Sequence, residues 1–238
     1  MKIVATLPTY NEAENIIPLI LSLLKVSKYM EVLVIDDNSP DGTWRLVGEL
    51  AEKNPRVHLL HRTLERGRGS AGVAGFKKAL DLGADYVVEM DADWSHHPRF
   101  LRPMLMAARR ADVVIGSRLV EGGGETGRHG VRTLITYSAN LYIRLMLGLR
   151  VRDCTSGYRV FRRWVLERID WDRVHSQGPA IVQEVLVAAR ALGARMVEEP
   201  ILFEERRAGT STFNSKIMLA GLMAQLRLAT QPAPVRTL

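Results

Sequence analysis

The chain has one cysteine in 238 residues, Cys154, which excludes an internal disulfide and fits a reducing compartment. It has no apolar run of the roughly 18–20 residues that span a bilayer, so no transmembrane helix is expected. No internal repeat or low-complexity linker interrupts it. There is no Gly-x-Ser-x-Gly elbow, and Cys154 has no histidine near it in sequence, so a covalent serine or cysteine mechanism has no support. His96 and His97 lack the Cys or spaced His partners of a tetrahedral zinc site. No nucleic-acid recognition signature appears and the basic residues are scattered, which sets nucleic acid aside as a partner.

What is present reads as an ordinary globular protein, 47% hydrophobic and 25% charged. The length suits one large domain or two small ones, with a sizeable core. A single domain over residues 1–230 is expected, with 231–238 frayed. Met1 leads straight into the alternating run Lys2-Ile3-Val4-Ala5-Thr6-Leu7, without a signal-peptide pattern, so a cytoplasmic location is expected. The net charge of +7 is mostly arginine. It fits anionic lipid or a phosphorylated substrate, and equally a genome that favours arginine codons.

Short β-branched runs at Lys2–Leu7, Glu31–Asp36, Val57–His61, Ala84–Met90 and Asp112–Ile115 alternate with helical patterns at 12–27, 42–53, 71–82 and 98–110. That alternation predicts an α/β fold with a mostly parallel sheet flanked by helices. Gly122-Gly123-Gly124 opens an irregular segment to about Arg132. A helix over Leu134–Leu147, a second near 180–192 and a strand near Arg195–Phe203 follow.

In open α/β sheets ligands bind beyond the carboxyl ends of the strands. Pro8-Thr9-Tyr10-Asn11-Glu12, Asp36-Asp37-Asn38-Ser39 and Asp91-Ala92-Asp93 all fall there. Asp91 and Asp93 are like charges one residue apart, which a divalent cation with oxygen ligands would neutralise. Mg²⁺ takes one or two carboxylates together with substrate phosphates. Asp41-Gly42-Thr43 reads as a helix cap, which leaves Asp36 and Asp37 for a nucleotide base or ribose. Arg66-Gly67-Arg68-Gly69-Ser70 precedes a helix and would place backbone N–H groups near an anion, or is a plain loop. Arg118, Arg132, Arg152, Arg159, Arg206 and Arg207 stand where phosphates could be met. Arg118 and Arg206 are favoured because each adjoins a Gly/Ser segment.

These motifs, with Asp91-Ala92-Asp93-Trp94-Ser95-His96-His97-Pro98, Gly116-Ser117-Arg118 and Asp153-Cys154-Thr155-Ser156-Gly157-Tyr158-Arg159, resemble the inverting family-2 glycosyltransferases. More narrowly they resemble dolichyl- or polyprenyl-phosphate β-mannosyltransferases, in order from about residue 3 to 216. The resemblance implies a GT-A fold, a GDP-mannose donor, Mg²⁺ or Mn²⁺, and a dolichyl or polyprenyl phosphate acceptor. It places Pro8, Tyr10, Glu12, Ile35 and Asp37 at the guanosine, and Asp91 and Asp93 at metal and diphosphate, with Ala92 contributing backbone. It places Arg118 and Arg206 at phosphate, and Arg132 and Thr136 at the acceptor phosphate. Asp93, Arg118 and Arg206 carry the catalytic assignment.

Two departures stand out. Gly209-Thr210-Ser211 is followed by Thr212 where the family commonly has lysine, with Lys216 or Arg207 as substitutes, and Thr136 replaces a serine. The chain resembles the short, peripheral type, expected at the cytoplasmic face of a membrane, with a membrane-protein partner possible. Leu134–Leu147 and Ile217–Leu228 are candidate interfacial helices. The competing readings are a polyprenyl-phosphate transferase using UDP-glucose or another nucleotide sugar, a metal-dependent nucleotidyltransferase, and a non-catalytic binding module.

Overall fold

The computed structural model describes residues 1–64, 66–126, 130–176, 178–204 and 224–236, with backbone alone for Val131 and Arg132. Nine strands and seven α-helices are assigned among them: β1 Ile3–Thr9, α1 Ala13–Leu24, β2 Met30–Asp36, α2 Thr43–Lys53, β3 Val57–His61, α3 Arg68–Asp81, β4 Tyr86–Glu89, α4 Leu101–Ala107, β5 Val113–Ser117, β6 Gly124–Glu125, α5 Val131–Leu147, β7 Arg159–Arg162, α6 Arg163–Glu167, α7 Ile181–Ala191, β8 Met196–Pro200 and β9 Leu202–Phe203. The main sheet runs β3-β2-β1-β4-β7-β5-β8, parallel except for β7, and β6 and β9 form a parallel pair beside it. This is the predicted α/β sheet.

Alternation along β1 explains the two layers. Ile3, Ala5 and Leu7 join the core under α1, α2 and α4, while Val4 joins the core under α3, α5, α6 and α7. Both faces of the sheet are covered, so its strands read as near-continuous apolar runs. In α1 the buried Ile16, Leu19, Ile20, Leu23 and Leu24 recur at helical spacing and form one stripe. Asp41 sets the entry of two helices. Its Oδ1 accepts from Thr43 N and Oγ1 at 3.0 and 2.6 Å, and its Oδ2 accepts from Ala13 N at 3.0 Å.

Four local expectations change. The segment after Gly122 contains β6, whose Gly124 pairs with Leu202. The strand expected over 195–203 divides into β8 and β9, because Ile201 turns between the sheets, its N–H bonded to Ser117 O and its carbonyl to Gly124 N. Helix α3 begins at Arg68, inside the expected loop 66–70. The ending expected to fray packs back over 231–236. Asp170 N donates to Pro234 O, Arg236 N donates to Arg168 O, Val235 bridges Ile169, and Pro234 is buried. Proline and valine supply the apolar surface for that contact.

Strand β7 was not predicted. It is four residues long and carries Arg159 in the middle of the sheet, which hides the apolar alternation of Val160 and Phe161. The fully buried Arg159 guanidinium donates to the carbonyls of Val182 and Cys154 and faces Glu89 across the β4/β7 register. Burial pulls its pKa down to about 10 against the opposing pull of Glu89.

Candidate active site

The strand order reverses between β1 and β4: the chain goes from β1 outward through β2 and β3, then returns to β4 on the other side. A crevice opens at such a point, past the strand ends. A cleft of about 330 Å³ lies there, lined by Pro8, Thr9, Tyr10, Asp37, Arg66, Gly67, Arg68 and Ala71. Asp91 follows the end of β4 at Glu89.

The β2 end is fixed by its acids. Asp36 is fully buried and accepts from Thr9 Oγ1 at 2.9 Å, Ser39 Oγ at 2.7 Å and Ser39 N at 2.8 Å. It therefore ties the loops after β1 and β2 together and does not face the cleft opening. Asp37 does line the cleft; its Oδ2 accepts from Gly67 N at 2.8 Å and its Oδ1 lies 3.3 Å from Arg62 Nε. Tyr10 is half exposed with the Arg66 guanidinium 5.7 Å over its ring, a polarised aromatic wall. Glu12 caps α1 and accepts from Asn15 Nδ2 at 2.8 Å, while its N–H donates to Thr43 Oγ1. Ile35, expected at the nucleoside, turns its side chain under Gly75 of α3 and belongs to the core.

The acidic loop is held from both sides. Asp91 Oδ1 meets Arg68 Nη2 at 3.1 Å, and Asp91 N donates to His96 Nδ1 at 3.0 Å. Asp93, 3% exposed, accepts from Ser95 Oγ at 2.6 Å and Ser95 N at 3.1 Å. His96 stacks on Tyr158 at 5.1 Å, and burial drives its pKa below the usual imidazole value, the fields of Asp91 and Asp93 opposing. Its Nδ1 is occupied by a backbone donor. His97 Nδ1 accepts from Arg99 N and caps a short 3-10 turn. Both rings are thus engaged within the loop by backbone donors.

Two carboxylates of hard oxygen, with no thiolate beside them, suit a divalent hard cation. Among the described residues no group of three or more His, Cys, Asp or Glu is arranged to hold an ion. An ion there would complete its shell with water or substrate oxygens.

Arg118, expected at phosphate, points inward. Its Nε and Nη2 donate to Asp153 Oδ2 and Oδ1 at 2.7 and 2.8 Å, Nη2 also to Thr155 Oγ1 at 2.5 Å, and Nη1 to Glu125 at 3.0 Å. Arg118 as a whole is 8% exposed. This pairing shapes the 153–157 turn, where Asp153 Oδ1 also accepts from Thr155 N and Ser156 N. Asn140 of α5 joins the same network, donating to Thr155 Oγ1 and to Thr136 O, and accepting from Cys154 N. Thr136 is therefore one turn from the Arg118 cluster. The side chain of Arg132 and all of Arg206, with Arg207, Thr210–Thr212 and Lys216, lie outside the described residues.

Three contributors escaped sequence reasoning. Glu89 read as the end of an apolar run, Glu125 sat in a glycine-rich stretch, and Arg68 lay in a segment read for its backbone N–H groups or as a plain loop, with no role for its side chain. Asp153 was visible as part of a motif, without its partner.

Comparison with known proteins agrees with this geometry. Residues 5–170 match glycosyl transferase family 2. An undecaprenyl-phosphate mannosyltransferase of Micrococcus luteus is 43% identical over 219 residues, covering 92% of this chain and 90% of that protein. A polyprenol monophosphomannose synthase of Mycolicibacterium smegmatis is 44% identical over 208 residues, covering 86% and 78%. In fold alone, the glucosyl-3-phosphoglycerate synthase of Mycobacterium tuberculosis, solved with Mn²⁺, UDP and glucosyl-3-phosphoglycerate, superposes with a TM-score of 0.66 at 19% identity, covering 97% of this chain and 81% of that one. A Pyrobaculum calidifontis mannosyltransferase solved with GDP-Man and Mn²⁺ gives 0.53 at 21%, covering 95% and 69%. The sheet is that of the GT-A glycosyltransferases, and the chain belongs to glycosyl transferase family 2.

Proposed function

We propose that this enzyme transfers mannose from GDP-mannose to polyprenyl phosphate, with inversion, giving polyprenyl β-mannosyl phosphate and GDP. The observation that carries the reading is the pair of relatives above 40% identity, both named for mannosyl transfer to a polyprenyl lipid and matched over most of their length. The cleft lined by Tyr10, Asp37 and Arg68 supports it, because Arg68 touches Asp91 and a nucleoside at the Tyr10 end would direct its diphosphate to that side.

Pro8, Tyr10, Glu12 and Asp37 are assigned to the nucleoside, with Ile35 supporting the floor from the core. Asp91 and Asp93, with Ala92 between them, face the diphosphate. When bound, Mg²⁺ or Mn²⁺ held by Asp91 and Asp93 supplies positive charge for the leaving group. Arg206 is assigned to phosphate, and Arg132 and Thr136 to the acceptor phosphate. Arg118 acts as a positioning residue, holding the 153–157 turn.

An oxygen of the lipid phosphate attacks C1 of the α-linked mannose opposite GDP. The new C1–O bond forms as the bond from C1 to the β-phosphate oxygen breaks, and GDP leaves with that electron pair. The attacking phosphate is already anionic near neutral pH, so no side chain has to take its proton. This accounts for a site in which the buried His96 holds the loop instead of moving a proton.

The acceptor comes from a bilayer, and α5 presents a surface for one. Leu134, Tyr137, Leu141 and Leu145 recur at helical spacing with exposures of 66, 51, 54 and 75%, while Ile143 and Leu147 face the core. No acidic residue occurs from 131 to 152, and Arg150 and Arg152 are exposed beyond its end. An apolar stripe with flanking arginines suits an anionic membrane interface. Among the described residues no helix is long and apolar enough to cross a membrane. Of the second candidate interfacial helix only its end, within the helical stretch 224–230, is described.

Purified protein offered polyprenyl phosphate and a panel of GDP-mannose, UDP-glucose and other nucleotide sugars, with and without chelator, tests the reading. Transfer from GDP-mannose that the chelator stops supports it. Transfer confined to another donor, or release of a nucleotidyl-lipid, refutes it.

A further inference from the structure

Arg68 has no part in the reaction as described, yet it stands between the cleft and the acidic pair. Its Nη2 lies 3.1 Å from Asp91 Oδ1 and its Nη1 3.3 Å from Glu89 Oε1, and the same residue lines the cleft beside Tyr10 and Asp37. The fold builds this position. Gly67 N is bonded to Asp37, which fixes the start of α3. Glu89 is 2% exposed at the end of β4. Gly157 leaves the space: a Cβ there would stand 3.2 Å from Arg68 Nη2 and 3.7 Å from Asp91 Oδ1. A surface ion pair would need none of these provisions.

A guanidinium on Asp91 Oδ1 carries the sign of charge that a cation bound by that carboxylate would carry. Two cations compete for one acceptor, and the tethered one is always present. We propose that Arg68 is a built-in counter-cation for Asp91, released from it only when a divalent ion arrives together with a nucleoside diphosphate. Arg68 holds the Asp91 carboxylate in place through its 3.1 Å contact until the ion arrives. It then retains Glu89, and its freed donors have the anionic diphosphate as their new acceptor. The inference rests on the nucleotide-sugar reading above and extends it: the ion and the nucleotide become coupled ligands, each tightening the other by the same factor.

Mn²⁺ binding to the whole protein, followed by the electron paramagnetic resonance of free Mn²⁺ with and without GDP, tests this without turnover. In the wild type, GDP should lower the Mn²⁺ Kd about tenfold or more. Arg68→Gln should bind Mn²⁺ alone about fivefold more tightly and respond less to GDP. Arg68→Lys, which keeps the charge, should stay close to the wild type. A wild type whose Mn²⁺ affinity ignores GDP overturns the proposal, and this measurement needs no variant to fold. So does an Arg68→Gln protein that matches the wild type in both conditions while Asp93→Asn abolishes binding. If Asp93→Asn binds Mn²⁺ like the wild type, the ion sits elsewhere, and the donor reading falls with this one.

Discussion

Arg118 and Asp153 meet through two parallel hydrogen bonds, 2.7 and 2.8 Å, with the carboxylate wholly shut from solvent. The pair joins the end of β5 to the turn that precedes β7. Burial alone would raise the Asp153 carboxyl, but the Arg118 guanidinium outweighs it and holds it below its ordinary 3.8. A carboxyl with a depressed folded-state pKa binds fewer protons folded than unfolded, so stability rises with pH across that window. The contribution is complete above pH 3.8 and is lost as pH falls through the lower, folded value. Urea unfolding in an acid pH series should show that slope in the wild type and a shallower one in Asp153→Asn.

Removing one partner is a different perturbation, because it strands the other. Arg118→Met should cost about 3–5 kcal/mol, since it leaves a buried carboxylate without its cation. Chemical denaturation at neutral pH measures this, and a loss under 1 kcal/mol would show that the turn does not depend on the pair.

Gly123 tests the backbone that carries Arg118. A Cβ on Gly123 would lie 2.5 Å from Ser117 O and 3.0 Å from the Arg118 carbonyl carbon, so Gly123→Ala must move main chain. Overpacking of this kind costs about 1–3 kcal/mol. Gly178→Ala, where nothing lies within 4 Å, serves as the control and should be nearly neutral.

The layout of the sheet was readable because its strands are buried on both faces and its motifs end those strands. The clustering of Pro8, Tyr10 and Asp37 about one cleft follows from that layout. What was not readable depends on long-range partners. Arg118 adjoins glycine and serine in sequence, which suggested a ligand contact, but its real neighbours, Asp153 and Glu125, arrive from other segments. Ile35 alternates with Asp36 in the strand, and only the packing of Gly75 shows that it serves the core. Strand β7 was hidden because a buried arginine bonded to carbonyls looks, in sequence, like a surface residue.

Cys154 should be chemically silent. Burial pushes its thiol up to about 12, and the structure shuts it from solvent. The thiolate is the reactive form, so iodoacetamide at pH 8 should leave the folded protein unlabelled and modify it fully in urea. Rapid labelling of the folded protein would mean that the 153–157 turn opens.

The α5 stripe makes a prediction about location. Each exposed leucine that enters an interface contributes about 1.5–3 kcal/mol, so Leu141→Ser with Leu145→Ser should reduce flotation with anionic vesicles more than tenfold. Turnover with a short, water-soluble polyprenyl phosphate should be unchanged. Equal flotation of wild type with neutral and anionic vesicles, or none with either, would rule out this surface as the anionic membrane contact.

Asp93 sits where the proposed chemistry is most exposed to test. Transfer of labelled mannose from GDP-mannose to polyprenyl phosphate should require Mg²⁺ or Mn²⁺, and Asp93→Asn should lower kcat by about 10²–10³-fold while the protein stays folded. Full turnover by Asp93→Asn with the metal present, or transfer undiminished by chelator, would contradict metal-assisted departure of GDP at Asp91 and Asp93.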